Sequence, residues 1–114
     1  MIKEYIKDVC NLLKIEKPTI SYDTSHFTTA TMMAQCCSDG TTIYLCNPIK
    51  ITPDYAFAIA HELRHVWQIR TNKDFYFSSY KTVDLCGSYD EYNCQIAEVD
   101  ANAFATIVMA DYFG

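Results

Sequence analysis

The N-terminal segment alternates apolar and charged positions with a helical period. Six apolar side chains recur at spacings of three and four residues, with polar residues between them: Ile2, Tyr5, Ile6, Val9, Leu12 and Leu13. Such a stripe is typical of an amphipathic helix that buries one face. Because a proline restricts the residue before it to extended backbone, the pattern predicts a helix of about three to four turns that ends before Pro18.

The middle of the chain has the composition of a small β-sheet. It is rich in Thr, Ile, Tyr, Met and Cys, and three segments are predicted as strands: Thr19–Asp23, Thr29–Cys37 and Thr42–Cys46. The Ser-Asp-Gly sequence at 38–40 suits a tight turn. We therefore expect the last two strands to form a hairpin.

A second helix is predicted directly after these strands. Thr52 is a favoured N-cap residue. Pro53 suits the first helical position, because the N–H that proline lacks would have no partner within the helix there. The pattern predicts a helix over Tyr55–Arg70.

A last helix is predicted near the C-terminus. The Ser88-x-x-Glu91 pattern looks like a capping box, so we expect a helix over Glu91–Tyr112. Its last turns are apolar on more than one face, which favours a core position, with a docking surface for a partner as the alternative. The connection Thr71–Asp90 has five aromatic residues and no clear period. We expect this connection to pack against the domain and to contribute to function.

Length and charge limit the possible classes of function. A chain of 114 residues fits one domain, 1–114. Nine basic and fourteen acidic residues give a formal net charge of −5, and no run of Lys or Arg occurs, which argues against a nucleic-acid partner. Charges interrupt the N-terminal apolar pairs, so neither a secretory signal nor a membrane span of about 18 apolar residues is indicated. We expect a cytoplasmic protein with no membrane partner.

Six cysteines raise the question of disulfides: Cys10, Cys36, Cys37, Cys46, Cys86 and Cys94. Thiols stay reduced in the cytosol, and no Cys-x-x-Cys pair suggests a zinc knuckle or a redox site. We expect reduced cysteines that serve as small buried apolar residues.

The predicted second helix contains the sequence His61-Glu62-Leu63-Arg64-His65. Residues four apart lie on the same helical face, one turn apart, so both imidazoles can bind one metal ion. Glu62 lies about 100° around the helix from His61, where its carboxylate can reach a metal-bound water instead of the metal. This is the arrangement of zinc proteases, in which the carboxylate accepts the proton of the water.

A third metal ligand is expected from the last helix. Glu98 lies one turn before Asn102, and alanines at every fourth position nearby would let this helix approach the first metal-binding helix closely. We expect Glu98 to bind zinc and Asn102 to hold a ligand histidine by a hydrogen bond, with a solvated position as the alternative for Asn102. Asp100 is the competing ligand. It lies about 200° around the helix from Glu98 and should point elsewhere.

Together these motifs resemble the gluzincin branch of the zinc metallopeptidases. The His-Glu-x-x-His motif, followed by a helix with Glu-x-Asp-Ala-Asn-x-Phe-Ala, looks most like the ImmA/IrrE-like peptidase domains and other minimal gluzincins. By that resemblance the ligands of Zn²⁺ are His61, His65 and Glu98, and Glu62 matches the general base.

Peptide hydrolysis also needs a hydrogen-bond donor that stabilises the oxyanion. Larger gluzincins supply a histidine for this role, and no histidine lies near Glu98 here. Tyrosines are the candidate substitutes, because a phenol can donate a hydrogen bond to a developing oxyanion. Tyr80 and Tyr92 are the candidates, with Tyr89 beside them, and the alternative for each is a packing role. The remaining histidine, His26, is expected in a polar turn at the surface.

These expectations combine into an α+β fold, a minimal zincin-like metallopeptidase domain with a short, twisted, mostly antiparallel sheet packed against three helices. The expected function is a zinc-dependent endopeptidase that hydrolyses peptide or protein substrates with Glu62 as general base. Thr42–Cys46 is expected as the sheet edge to which an extended peptide adds. The alternative is a catalytically weak zinc-binding regulatory or sensing domain that acts through a protein partner.

Overall fold

Three long helices and three short strands make up the part of the chain that the structure describes. The structure is a computed structural model, and it describes residues 2–25, 27, 33–36, 40–46, 52–74, 76, 86–88 and 95–113. The elements follow in this order: α1 (Ile2–Leu13), β1 (Thr19–Ser21), β2 (Ala34–Cys36), β3 (Thr42–Leu45), α2 (Pro53–Thr71) and α3 (Ile96–Phe113). The fold is a small α+β fold, as predicted.

Helix α1 buries most of the predicted apolar stripe, but Leu12 is 58% exposed. Its buried side chains belong to Tyr5, Ile6, Val9, Cys10 and Leu13. The helix ends in a Schellman motif, in which the N–H of Ile15 donates to the carbonyl of Cys10 at 3.0 Å and the N–H of Lys14 donates to that of Asn11 at 3.2 Å. Lys14 has a φ of 57°, so the chain turns in the left-handed region before it reaches Pro18.

The sheet is mixed, in the order β1-β3-β2. Strand β1 pairs with β3 in parallel, and β2 pairs with β3 in antiparallel orientation. The predicted pairing of the last two strands is confirmed. The prediction of a mostly antiparallel sheet is wrong, because the chain passes from β1 to the opposite edge of the sheet before β3 returns between the two outer strands.

Strand β3 is the central strand of this sheet, so the expectation that Thr42–Cys46 forms its edge is also wrong. Ile43 and Leu45 are 1% and 0% exposed, because β3 has a neighbour on each side and its inward side chains lie in the core. Among the described strands β2 is an edge strand instead, and it lies against α2.

Helix α2 begins as the sequence predicts and packs along α3. The Thr52 hydroxyl accepts a hydrogen bond from the N–H of Tyr55 at 3.2 Å, which caps the helix. The facing side of α3 presents Ala97, Ala101 and Ala105, all buried. Their small side chains let the two helices approach closely, which brings the polar residues of both helices within reach of each other.

Helix α3 begins at Ile96, five residues later than predicted. Its first backbone hydrogen bond is donated by the N–H of Val99 to the carbonyl of Gln95, which lies in a bend. Glu91 of the predicted capping box lies outside the described residues. The apolar residues of the last turns lie partly in the core and partly at the surface, since Val108 is buried and Ile107 is 59% exposed. None of the described helices is long and apolar enough to cross a membrane.

The cysteines of the described ranges carry no disulfide: Cys10, Cys36, Cys46 and Cys86. Burial raises the pKa of the Cys10 thiol, so this residue acts as a small apolar side chain of the core. The remaining two, Cys37 and Cys94, lie outside the described residues.

Candidate metal centre

Two histidines of α2 and one glutamate of α3 meet between the two helices. Nε2 of His61 lies 3.1 Å from Oε2 of Glu98, and Nε2 of His65 lies 3.0 Å from Oε1 of the same carboxylate. The two Nε2 atoms are 3.1 Å apart. His65 and Glu98 are 3% and 2% exposed, so the cluster is buried. These three side chains can together hold a metal ion.

The contacts among the two imidazole nitrogens and the two oxygens of Glu98 have the length expected between atoms that share one ion. Atoms bound to zinc at about 2.0–2.1 Å with tetrahedral angles are roughly 3.3 Å from one another. The separations of 3.0 to 3.1 Å in the cluster are close to that value. Two imidazole nitrogens and one carboxylate are also a donor set that zinc takes in catalytic sites. The residues present therefore fit the ion that the sequence predicts.

Without a metal, the cluster is a buried ion pair. Burial lowers the pKa of His65, but its hydrogen bond to Glu98 and the charges of Glu62 and Glu98 raise it to about 9. Burial raises the pKa of Glu98, but the hydrogen bonds from both histidines bring it well below its usual range. A proton is thus held where the donor atoms converge.

The outer nitrogen of each histidine faces an amide oxygen. Nδ1 of His61 lies 2.8 Å from Oδ1 of Asn102, and Nδ1 of His65 lies 2.8 Å from Oε1 of Gln68. An amide oxygen can only accept, so both Nδ1 atoms carry a proton. In the neutral imidazoles, both Nε2 atoms therefore present a lone pair to the centre of the cluster.

The carboxylate of Glu62 lies beside the cluster and is held by the sheet. Its Oε1 accepts a hydrogen bond of 2.8 Å from the backbone N–H of Cys36, in the edge strand β2. Its Oε2 lies 3.6 Å from Nε2 of His61. One oxygen is thus fixed by the backbone, and the other faces the cluster.

Asp100, the competing ligand, lies outside the cluster. Nε and Nη2 of Arg64 donate to its two oxygens at 2.8 and 3.1 Å. The hydrogen bond from Arg64 lowers the pKa of the Asp100 carboxyl, which therefore stays ionised. Gln68 also donates to this carboxylate, at 2.9 Å.

Sequence reasoning missed Gln68 and the partner of Asp100. The available signal for Gln68 was its position three residues after His65, a spacing at which side chains on a helix are neighbours. The contact between Arg64 and Asp100 joins two helices, so it depended on how α3 lies against α2.

The predicted oxyanion residues are not among those that the structure describes. Tyr80, Tyr89 and Tyr92 lie outside the described residues, as does His26. From the long connection the structure describes Tyr76, whose ring packs edge-on against the imidazole of His65 with 5.9 Å between centroids. Tyr76 therefore lies against the cluster, whereas most of the connection lies outside the described residues.

Comparisons of the chain with protein-family models, with curated proteins and with solved structures give no significant match. The class of protein is therefore defined by its fold and its site. It is a small α+β protein in which two helices bring together a buried His/His/Glu group that can hold a metal ion.

Proposed function

We propose that this chain is a zinc-dependent peptidase of the gluzincin type. The observation that carries the proposal is the convergence of Nε2 of His61 and Nε2 of His65 on the buried carboxylate of Glu98, with the carboxylate of Glu62 beside them. Two imidazole nitrogens and a carboxylate that face one another in a buried position are stabilised by a cation between them, either a proton or a metal ion. The described residues supply three ligands, which is the number typical of catalytic zinc, whereas structural zinc takes four.

The roles of the chain's own residues follow from their positions. His61, His65 and Glu98 would hold the zinc, which would supply a Lewis acid that polarises a carbonyl and lowers the pKa of water to about 7. Glu62 accepts the proton of the attacking water and passes it to the leaving amine. The N–H of Cys36 holds one oxygen of Glu62, so the other oxygen stays directed at the reacting atoms.

The substrate in this proposal is an extended peptide that lies along β2. The N–H of Cys46 bonds to the carbonyl of Met33 at 2.9 Å, so alternation along β2 directs the backbone groups of Ala34 to the outer edge. The bond from Cys36 to Glu62 lies at that edge. A peptide paired there would bring its main chain next to the general base.

Metal content tests the ligand set. Elemental analysis of the purified protein should give about one zinc per chain, and Glu98→Ala should lose most of it because one of three ligands is removed. Asp111→Ala is the matched control, since it removes an exposed carboxylate from the same helix. Full retention of zinc by Glu98→Ala would show that another group completes the site.

Hydrolysis of a peptide library tests the role of Glu62. Glu62→Gln keeps the size and polarity of the side chain but removes its basicity, so turnover should fall about 10²–10⁴-fold. Its zinc content and melting temperature should stay near those of the wild type. Glu4→Gln, an exposed change in α1, is the matched control. A zinc-loaded wild type that cleaves no peptide would favour the regulatory alternative over the enzyme.

A further inference from the structure

Beside the cluster, the side chain of Gln68 connects a metal-binding histidine to an ion pair between two helices. We propose that Gln68 is a positioning residue, which fixes the tautomer and the ring orientation of His65 for metal binding and is itself held by the ion pair of Arg64 and Asp100. This inference rests on the proposed zinc site and adds a residue that lies outside the metal-binding motif.

The orientation of the Gln68 amide follows from its partners. Its Nε2 lies 2.9 Å from the carbonyl oxygen of Ala97 and 2.9 Å from Oδ2 of Asp100. Both partners accept hydrogen bonds, so they require the NH₂ group on this side and use both of its protons. The amide oxygen must therefore face Nδ1 of His65, at 2.8 Å.

This orientation dictates the tautomer of His65. Because the amide oxygen can only accept, Nδ1 of His65 must carry the proton, and Nε2 keeps the lone pair that a metal needs. If the amide could turn around, its NH₂ group would face the ring and favour a proton on Nε2 instead. The two acceptors on the far side of Gln68 prevent this turn, since a reversed amide would place its oxygen against two other oxygens.

The carboxylate at the far end of Gln68 is bound through both of its oxygens. Arg64 binds both oxygens of Asp100, at 2.8 and 3.1 Å, in the bidentate geometry that fixes a carboxylate in its plane. The guanidinium in turn lies 3.8 Å from the centre of the Trp67 ring, on which it stacks. The packing of α2 against α3 is thereby linked to the protonation of one imidazole nitrogen.

Gln68 can be replaced without damage to the core. Its side chain is half-buried, and it borders a pocket of about 260 Å³ between the end of α2 and the start of α3. A replacement of similar size leaves no new cavity in the packed interior. Variants at this position should therefore fold.

Zinc affinity, measured by competition with a chromophoric chelator, tests the inference. Gln68→Leu has a comparable volume and no acceptor, and we expect its affinity to fall about 10–100-fold. Thr71→Val is the matched control and should bind as the wild type does. Thr71 borders the same pocket, and its hydroxyl donates back to the carbonyl of Trp67 in its own helix.

A pair of substitutions that exchanges the amide of Gln68 and the carboxylate of Asp100 gives a second, independent measurement. Gln68→Glu still offers an acceptor to Nδ1 of His65, but it places a second carboxylate against Asp100, and the repulsion should weaken zinc binding. Adding Asp100→Asn supplies an N–H donor to the new carboxylate and leaves only the Ala97 carbonyl opposed to it, so the double variant should recover part of the affinity lost in Gln68→Glu. The visible spectrum of the cobalt-loaded protein should change in Gln68→Leu and return in the double variant, which a merely structural role would not produce.

The outcomes separate this inference from the proposed function. Equal zinc affinity in Gln68→Leu and wild type overturns the role of Gln68 and leaves the zinc site standing. A wild type that binds no zinc overturns both. Melting curves in chelator show whether Gln68→Leu folds. If Gln68→Leu does not fold, the comparison of Gln68→Glu with the double variant decides. In that case, a double variant that binds zinc no more tightly than Gln68→Glu overturns the inference.

Discussion

At the scale of single residues, the buried ion pair of His65 and Glu98 makes the metal-free protein sensitive to pH. The pKa of His65 is raised from 6.5 to about 9 in the folded protein. The stabilisation from its proton is complete below pH 6.5 and is lost as the pH rises through 9. The pKa of Glu98 is lowered from 4.5, so its contribution is present above that value and is lost in acid.

We therefore expect the free energy of unfolding of the chelator-treated protein to fall between pH 6.5 and pH 9. The fall should be on the order of 3 kcal/mol at most, since one pKa unit corresponds to about 1.4 kcal/mol. Urea unfolding at a series of pH values measures it. His65→Gln should remove most of the dependence, and a wild-type profile that is flat over this range would contradict the expectation.

The sequence identifies the residues of this site when their relation is local. His61 and His65 share a helical face whatever the rest of the fold does, and the angle around a helix separates Glu98 from Asp100. The bond from Cys36 to Glu62 is different, because a backbone N–H donates it. Any residue except proline offers that donor, so only the position of the strand reveals the contact.

At the scale of elements, the end of α1 offers a test of local backbone strain. Lys14 takes a φ of 57° in the Schellman motif, where a residue with a side chain loses about 1–2 kcal/mol and glycine does not. Glycine also makes the unfolded chain more flexible, which offsets part of the gain. We expect Lys14→Gly to raise the free energy of unfolding by roughly 0.5–1 kcal/mol.

Urea unfolding, which gives the free energy of unfolding of Lys14→Gly and of Lys17→Gly as its control, measures this effect. Lys17 is also exposed and lies three residues further along, but it has no positive φ, so its replacement should destabilise the protein. A loss of stability in Lys14→Gly equal to that in Lys17→Gly would show that the left-handed residue costs nothing here.

The difference between local and long-range relations along the chain also explains which elements the sequence predicts. The start of α2 is encoded by the adjacent residues Thr52 and Pro53, and α1 by its own stripe. The order of the strands is not encoded locally. Ile43 and Leu45 alternate with polar residues as they would in an edge strand, so the central position of β3 becomes visible only when β1 is found beside it.

At the scale of the whole molecule, the candidate metal site connects the two longest helices. His61 and His65 belong to α2 and Glu98 to α3, and more than thirty residues separate Glu98 from His65 along the chain. A metal ion held by these side chains would bind the folded state and not the unfolded one, because the unfolded chain does not bring the ligands together. Its binding free energy therefore adds to the stability of the entire fold.

The melting temperature should consequently depend on zinc. At a free zinc concentration about 1,000 times the dissociation constant, the folded state gains roughly 4 kcal/mol, which for a domain of this size corresponds to a rise on the order of 10–20 °C. Thermal unfolding followed by circular dichroism, with zinc and then with excess chelator, measures the shift. Glu98→Ala should lose the shift, whereas Lys14→Gly should keep it, because its backbone change lies outside the site and adds independently. A wild type that melts at the same temperature with zinc and with chelator would contradict the metal site itself, since no tight ligand of the folded state alone can leave its stability unchanged.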